Sequence, residues 1–114
     1  MCGIVAIFNI ESQSEALRKQ ALKMSKRIRH RGPDWSGIYA EEHAILAHER
    51  LSIVDPQSGG QPLKNKEGNI ILCVNGEIYN HLTLRKKLES SGASPSWRGH
   101  SDTETLLACF IAWG

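Results

Sequence analysis

An apolar stretch opens the chain: Cys2-Gly3-Ile4-Val5-Ala6-Ile7-Phe8 follows directly on Met1. It is short, rich in β-branched residues and closed by the polar Asn9. That composition predicts a buried strand. The chain is therefore committed at its first residues to a sheet with a covered face.

The cover is legible next. Ser12 and Glu15 stand three apart, which is a capping-box signature. Leu17, Ala21, Met24 and Ile28 then repeat at helical spacing, and Lys26, Arg27 and Arg29 crowd the end favoured by the helix dipole. The spacing predicts a helix from about Ser14 to Arg29. Arg31-Gly32-Pro33-Asp34 is a turn. Gly37–Ala40 and Ala44–Ala47 flank Glu41-Glu42-His43 as a hairpin, and Leu51-Ser52-Ile53-Val54 is another short strand. Asp55 to Pro62 is a loop and Glu67-Gly68-Asn69 a turn. Ile70–Val74 is the clearest strand of the chain.

Asn75-Gly76 follows it at once, a pair common in hairpin turns, yet Asn80 can cap a helix carrying Leu84 and Leu88 and ended by Gly92. Ser94 to Gly99 is a loop carrying Trp97. Ser101 with Glu104 repeats the capping-box signature, and Leu106, Leu107, Phe110 and Ile111 form the stripe of a last helix. Hairpins with separate helices predict an α+β fold with a largely antiparallel sheet.

Composition removes several function classes. Lys and Arg number 14 against 12 Asp and Glu, and the only local basic excess is Lys23 to Arg31. No basic stripe for nucleic acid is expected. No run is long enough to span a membrane, and the start does not resemble a signal peptide. Cys2, Cys73 and Cys109 form no CxxC pair and no dense framework. That predicts a cytoplasmic chain with reduced thiols. The five histidines lack zinc-ligand spacing with cysteine, and Ser58-Gly59-Gly60-Gln61 lacks the lysine and context of a phosphate loop. The chain stops on the apolar Phe110-Ile111-Ala112-Trp113, which predicts a fragment.

Four places could carry chemistry. Once Met1 is trimmed, Cys2 holds a thiol and a free α-amine of pKa about 7.7–8.0 on one residue. An N-terminal nucleophile uses its own amine as base. The alternative is a small buried hydrophobe. Asn75-Gly76 offers a side-chain amide beside a backbone N–H, the donors of an oxyanion hole, or an ordinary turn. Arg50 can grip a carboxylate with two parallel bonds, or pair with Glu49 or Asp55. Glu77 and Asp102 can hold an ammonium, or serve as turn and cap residues.

Taken together and in order, the residues resemble a known family. Met1-Cys2-Gly3-Ile4, His30-Arg31-Gly32-Pro33-Asp34, His48-Glu49-Arg50-Leu51-Ser52-Ile53-Val54-Asp55, Asn75-Gly76-Glu77-Ile78-Tyr79-Asn80 and Ser101-Asp102-Thr103-Glu104 resemble the class II glutamine amidotransferase domain. Pro33-Asp34 and Arg50–Asp55 are similar to the asparagine synthetase branch, bacterial B type.

The resemblance implies an N-terminal-nucleophile hydrolase fold. In that fold two antiparallel sheets lie between helix layers, an αββα sandwich of which residues 1–114 would be an N-terminal portion. It implies catalytic roles for Cys2 (nucleophile), Asn75 and Gly76 (oxyanion hole). For L-glutamine it implies Arg50 at the α-carboxylate, Glu77 and Asp102 at the α-ammonium, and backbone of Ile53 and Val54 against the bound amino acid. No metal or cofactor is implied within the chain. ATP and Mg²⁺ would belong to a C-terminal synthetase domain that amidates aspartate with the released ammonia. A homodimer is an open assembly. Two other readings stay open: a member of the branch amidating a sugar or peptide carboxylate, and a noncatalytic truncated fragment.

Overall fold

The computed structural model describes residues 1–11, 14–51, 60–93 and 95–114. Their elements run β1 (Gly3–Phe8), α1 (Ser14–Arg27), a 3₁₀ turn (Arg29–Arg31), β2 (Trp35–Ala40), β3 (Ala44–Arg50), β4 (Leu63–Lys64), β5 (Ile71–Leu72), α2 (His81–Ser90) and α3 (Asp102–Trp113). They fall into two compact units, one of residues 1–51 and 60–75 and one of residues 76–114. The class is α+β with antiparallel pairing, as the periodicity predicts.

The first unit is built on a three-stranded sheet of order β1-β3-β2, antiparallel throughout. β1 alternates, with Val5 buried and Ile4 and Phe8 exposed. Val5, Ile10, Ala21, Ile45 and Ala47 make the core, and Ile7, Leu17, Ile28 and Ile38 pack against it. Thus α1 covers one face of the sheet through the stripe expected of it. Met24 departs from that stripe and is exposed, whereas its neighbour Ser25 is buried. Ser25 turns inward because it donates a hydrogen bond to Glu49 Oε1.

The predicted helix runs to Arg29, but the α-helix stops at Arg27 and tightens into the 3₁₀ turn, with Arg31 N–H donating to Ile28 O at 3.0 Å. A close approach then fixes the path. A Cβ on Gly37 would stand 1.9 Å from Gln61 O, so the residue opposite the loop before β4 must be glycine. Ser12 of the first capping box, residues 52–54 of the strand expected after Leu51, and most of the loop beyond it lie outside the described residues.

The strand expected over Ile70–Val74 is a correction. Only Ile71–Leu72 pairs, with Leu63–Lys64. Beyond Leu72 the ladder is replaced by side chains. Val74 N–H donates to Gln61 Oε1 at 2.6 Å, and Val74 O accepts from His48 Nε2 at 3.0 Å. The turn at Glu67-Gly68 forms as expected, with Gly68 at φ 77°.

In the second unit α2 ends in a Schellman motif. Gly92 takes φ 77°, Gly92 N–H donates to Glu89 O and Ala93 N–H to Leu88 O, both at 3.3 Å. Asn80 occupies the N-cap position of α2 without a side-chain capping bond, and the capping box expected at Ser101 does not form either. Ser101 Oγ pairs with Thr103 Oγ1 at 2.7 Å. Glu104 reaches back instead to accept from the N–H groups of Arg98 and Gly99. Leu107 of the last stripe is buried, while Phe110 and Ile111 are exposed.

Candidate active site

Strand alternation sorts the residues of β3 onto two faces. Ile45, Ala47 and Glu49 share the face covered by α1. Leu46, His48 and Arg50 share the other. Register places Ile4 opposite His48 and Gly3 opposite Glu49. Cys2 stands directly before β1, and Arg50 closes β3 on the face that carries His48.

Cys2 is held there by backbone. Its Sγ accepts from Leu51 N–H at 3.3 Å and donates to Leu51 O at 3.6 Å. Its carbonyl accepts from Arg31 Nε at 3.1 Å. The Arg31–Asp34 segment closes on the end of β3, with Asp34 N–H donating to Arg50 O at 3.0 Å. The side chain is half-buried, so the thiol is neither a core residue nor fully in solvent. The other thiols differ. Burial pushes Cys73 up to about 11 and raises Cys109, leaving both as inert thiols.

Asn75 is exposed and follows Val74 directly. The His48–Val74 bond therefore anchors the residue before Asn75 to a side chain two positions from Arg50 on the same face of β3. His48 is fully buried, and burial lowers its pKa, with the Arg50 guanidinium acting in the same direction. Neutral His48 with its proton on Nε2 donates to Val74 O. Nδ1 is then a buried acceptor with no partner among the described residues. Asn75 and Gly76 do not make the hairpin turn that the pair commonly makes. Neither has the positive φ of that turn, and a Cβ on Gly76 would meet nothing within 4 Å.

In the second unit Gly76 and Glu77 are exposed and Asp102 is buried. Asp102 Oδ2 accepts from Ile78 N–H at 2.7 Å, which ties the start of α3 to the segment after Glu77. The remaining pair of expected contacts, Ile53 and Val54, lies outside the described residues.

A sequence reading alone passes over two buried charges. Glu49 accepts from Ser25 and from Ser36, the latter at 2.5 Å. Arg85 donates to Thr105 Oγ1 at 2.9 Å, Gly99 O at 2.8 Å and Ser101 O at 2.9 Å. It also lies 3.5 Å from Glu104 and stacks 4.0 Å from the Trp97 ring. The available signal for Arg85 was its position one turn before Leu88, on the apolar side of α2. Among the described residues no group of three or more His, Cys, Asp or Glu is placed to hold a metal ion. No helix among them is long and apolar enough to cross a membrane.

The family model described as glutamine amidotransferase domain matches residues 1–114. The chain belongs to the glutamine amidotransferase domain family. Among curated proteins, this amidotransferase sequence is 52% identical over 110 residues to the glutamine-hydrolyzing asparagine synthetase B of Escherichia coli (strain K12), covering 96% of this chain and 19% of that protein. It is 52% identical over 107 residues to a probable glutamine-hydrolyzing asparagine synthetase of Dictyostelium discoideum, with 94% and 19% covered. It is 48% identical over 114 residues to that of Schizosaccharomyces pombe (strain 972 / ATCC 24843), with 100% and 20% covered. The amidotransferase chain thus spans about a fifth of the length of the curated relatives it matches.

Proposed function

We propose that this chain hydrolyses the side-chain amide of L-glutamine, as part of a glutaminase domain in an asparagine synthetase-type protein. The observation that carries the reading is the shared face of the first sheet. Arg50 and His48 share it, Cys2 Sγ bonds the backbone of Leu51 directly after Arg50, and the residue before Asn75 is fastened to His48.

With Met1 removed, the α-amine of Cys2 takes the thiol proton, and the thiolate attacks the amide carbon of glutamine. The negative oxygen that develops is met by the Asn75 side-chain amide and the Gly76 N–H, donors aimed where charge grows in the transition state. The tetrahedral centre collapses, the C–N bond breaks, and the proton held by the amine goes to the departing ammonia. Water then cleaves the thioester, restoring the thiol and releasing glutamate. Arg50 holds the α-carboxylate of the substrate in a two-bond fork. Glu77 and Asp102 balance its α-ammonium, and the backbone of Ile53 and Val54 fixes the bound amino acid. In the whole protein the ammonia amidates the side-chain carboxylate of aspartate, in a synthetase domain that uses ATP and Mg²⁺.

Ammonia release from glutamine is the test, with Met1 removal checked by intact mass. The expected result is release by the native sequence and none by Cys2→Ala. Equal release by both would sink the reading.

A further inference from the structure

The Val74 residue is gripped on both sides by buried side chains. Gln61 Oε1 takes its N–H at 2.6 Å, and His48 Nε2 donates to its C=O at 3.0 Å. The first bond fixes the peptide plane between Cys73 and Val74. The second fixes the plane between Val74 and Asn75. Peptide units are rigid, so the two bonds together set both soft dihedrals of Val74 and hence the direction in which Asn75 leaves it.

Neither side chain is free to wander. His48 is wholly buried in the central strand, between Ile4 and Gly37 in register, and Gln61 is 5% exposed. The Gln61 backbone lies against Gly37, where even a methyl group would collide with Gln61 O. His48 Nδ1 is buried and has no partner among the described residues, an unfavourable arrangement in a core. A buried polar atom left without a partner is explained where the other ring nitrogen does something that an apolar residue cannot.

We propose that His48 and Gln61 are positioning residues for Asn75, a clamp on Val74 that aims the Asn75 amide at the oxygen of the reacting carbonyl. The role rests on the glutaminase reading above. It goes further in assigning rigidity at position 75 to two side chains that touch no substrate. An oxyanion donor is effective because it is already oriented when charge develops. Loss of the clamp therefore lowers kcat and leaves KM for glutamine unchanged.

The experiment has two arms. Backbone ¹⁵N relaxation of the purified 114-residue chain reads the clamp without any substrate. Asn75 is expected to be ordered in the native sequence, and its order parameter is expected to fall below about 0.6 in His48→Ala and in Gln61→Ala. His48→Gln keeps an N–H donor at the position of Nε2 and is expected to restore it. Native-like rigidity at Asn75 in folded His48→Ala and Gln61→Ala overturns the clamp. If both alanine variants fail to fold, the comparison of His48→Gln with His48→Met decides, and equal order at Asn75 in those two overturns it.

The second arm is ammonia release in a double-mutant cycle with Asn75→Ala. His48→Ala is expected to lower kcat about tenfold or more in the native background and to have no further effect beside Asn75→Ala. Equal loss in both backgrounds overturns the positioning role. Release that is the same for the native sequence and Cys2→Ala removes the glutaminase reading, and relaxation still decides the clamp.

Discussion

Gly32 lies so close to Glu49 that a Cβ built on it would stand 2.1 Å from the Glu49 carbonyl oxygen and 2.6 Å from Arg50 N. Both neighbours are backbone of the central strand, so neither can swing away. The substitution Gly32→Ala must instead push the Arg31–Asp34 segment off the end of β3. We expect a loss of about 3 kcal/mol, measured as a fall in the urea midpoint. The Cys2 carbonyl loses its bond from Arg31 in the same movement, so ammonia release falls as well.

Arg85 is a second site where substitution is predicted to be severe. Its fork serves three acceptors on the segment before α3 and within it. Lysine keeps the charge and loses the fork. Arg85→Lys is expected to destabilise the second unit by about 3 kcal/mol, seen as a lower thermal midpoint. Unchanged stability would assign the work to the Glu104 ion pair alone.

Thiol chemistry should separate the cysteines. Burial lifts Cys73 to about 11, so at pH 8 about one in a thousand is ionised. Brief alkylation at pH 8 is expected to mark Cys2 and to leave Cys73 unmodified, as peptide mapping will show. The same shift has a sign in stability. The folded thiol keeps its proton above the ordinary value of 9.0, while the unfolded thiol loses it. Stability is therefore intact below pH 9 and is lost as pH climbs towards 11. Cys73→Ala is expected to flatten that window.

His48 acts at the other end of the scale. Its pKa is lowered from 6.5 by burial, so below that value the unfolded chain binds a proton that the folded chain refuses. Stability is therefore expected to fall as pH drops below about 6.5. His48→Gln, which cannot titrate, should show a shallower decline in denaturation midpoints between pH 7 and 5.

The elements set by hydrophobic period were legible without coordinates. β1, α1 and the β2–β3 hairpin follow from alternation and helical spacing, and Gly92 ends α2 where a left-handed residue is needed. What escaped is what side chains do to backbone. Ile70–Val74 has the composition of a strand, but Gln61 and His48 take the bonds that a neighbouring strand would make. Ser101 and Glu104 have capping-box spacing, but the Arg85 fork holds Gly99 O and Ser101 O, and Glu104 closes on Arg98 and Gly99 instead. A charge on an apolar stripe, as at Arg85, is the sequence signal of such a device. In the candidate site the motif order pointed to Cys2, Arg50 and Asn75. The His48 link behind Asn75 joins residues 26 positions apart, and no local pattern announces a contact of that range.

The stacking of Trp97 on Arg85 has an optical consequence. Its indole N–H is bonded to Glu89 and its ring faces a guanidinium, so its emission must change when that cluster opens. Trp35 belongs to the first unit and lies on β2. With Trp113 replaced by phenylalanine, the two remaining indoles become separate lamps, one for each unit. Removing either in turn would show whether the light from both goes out together or one unit darkens first.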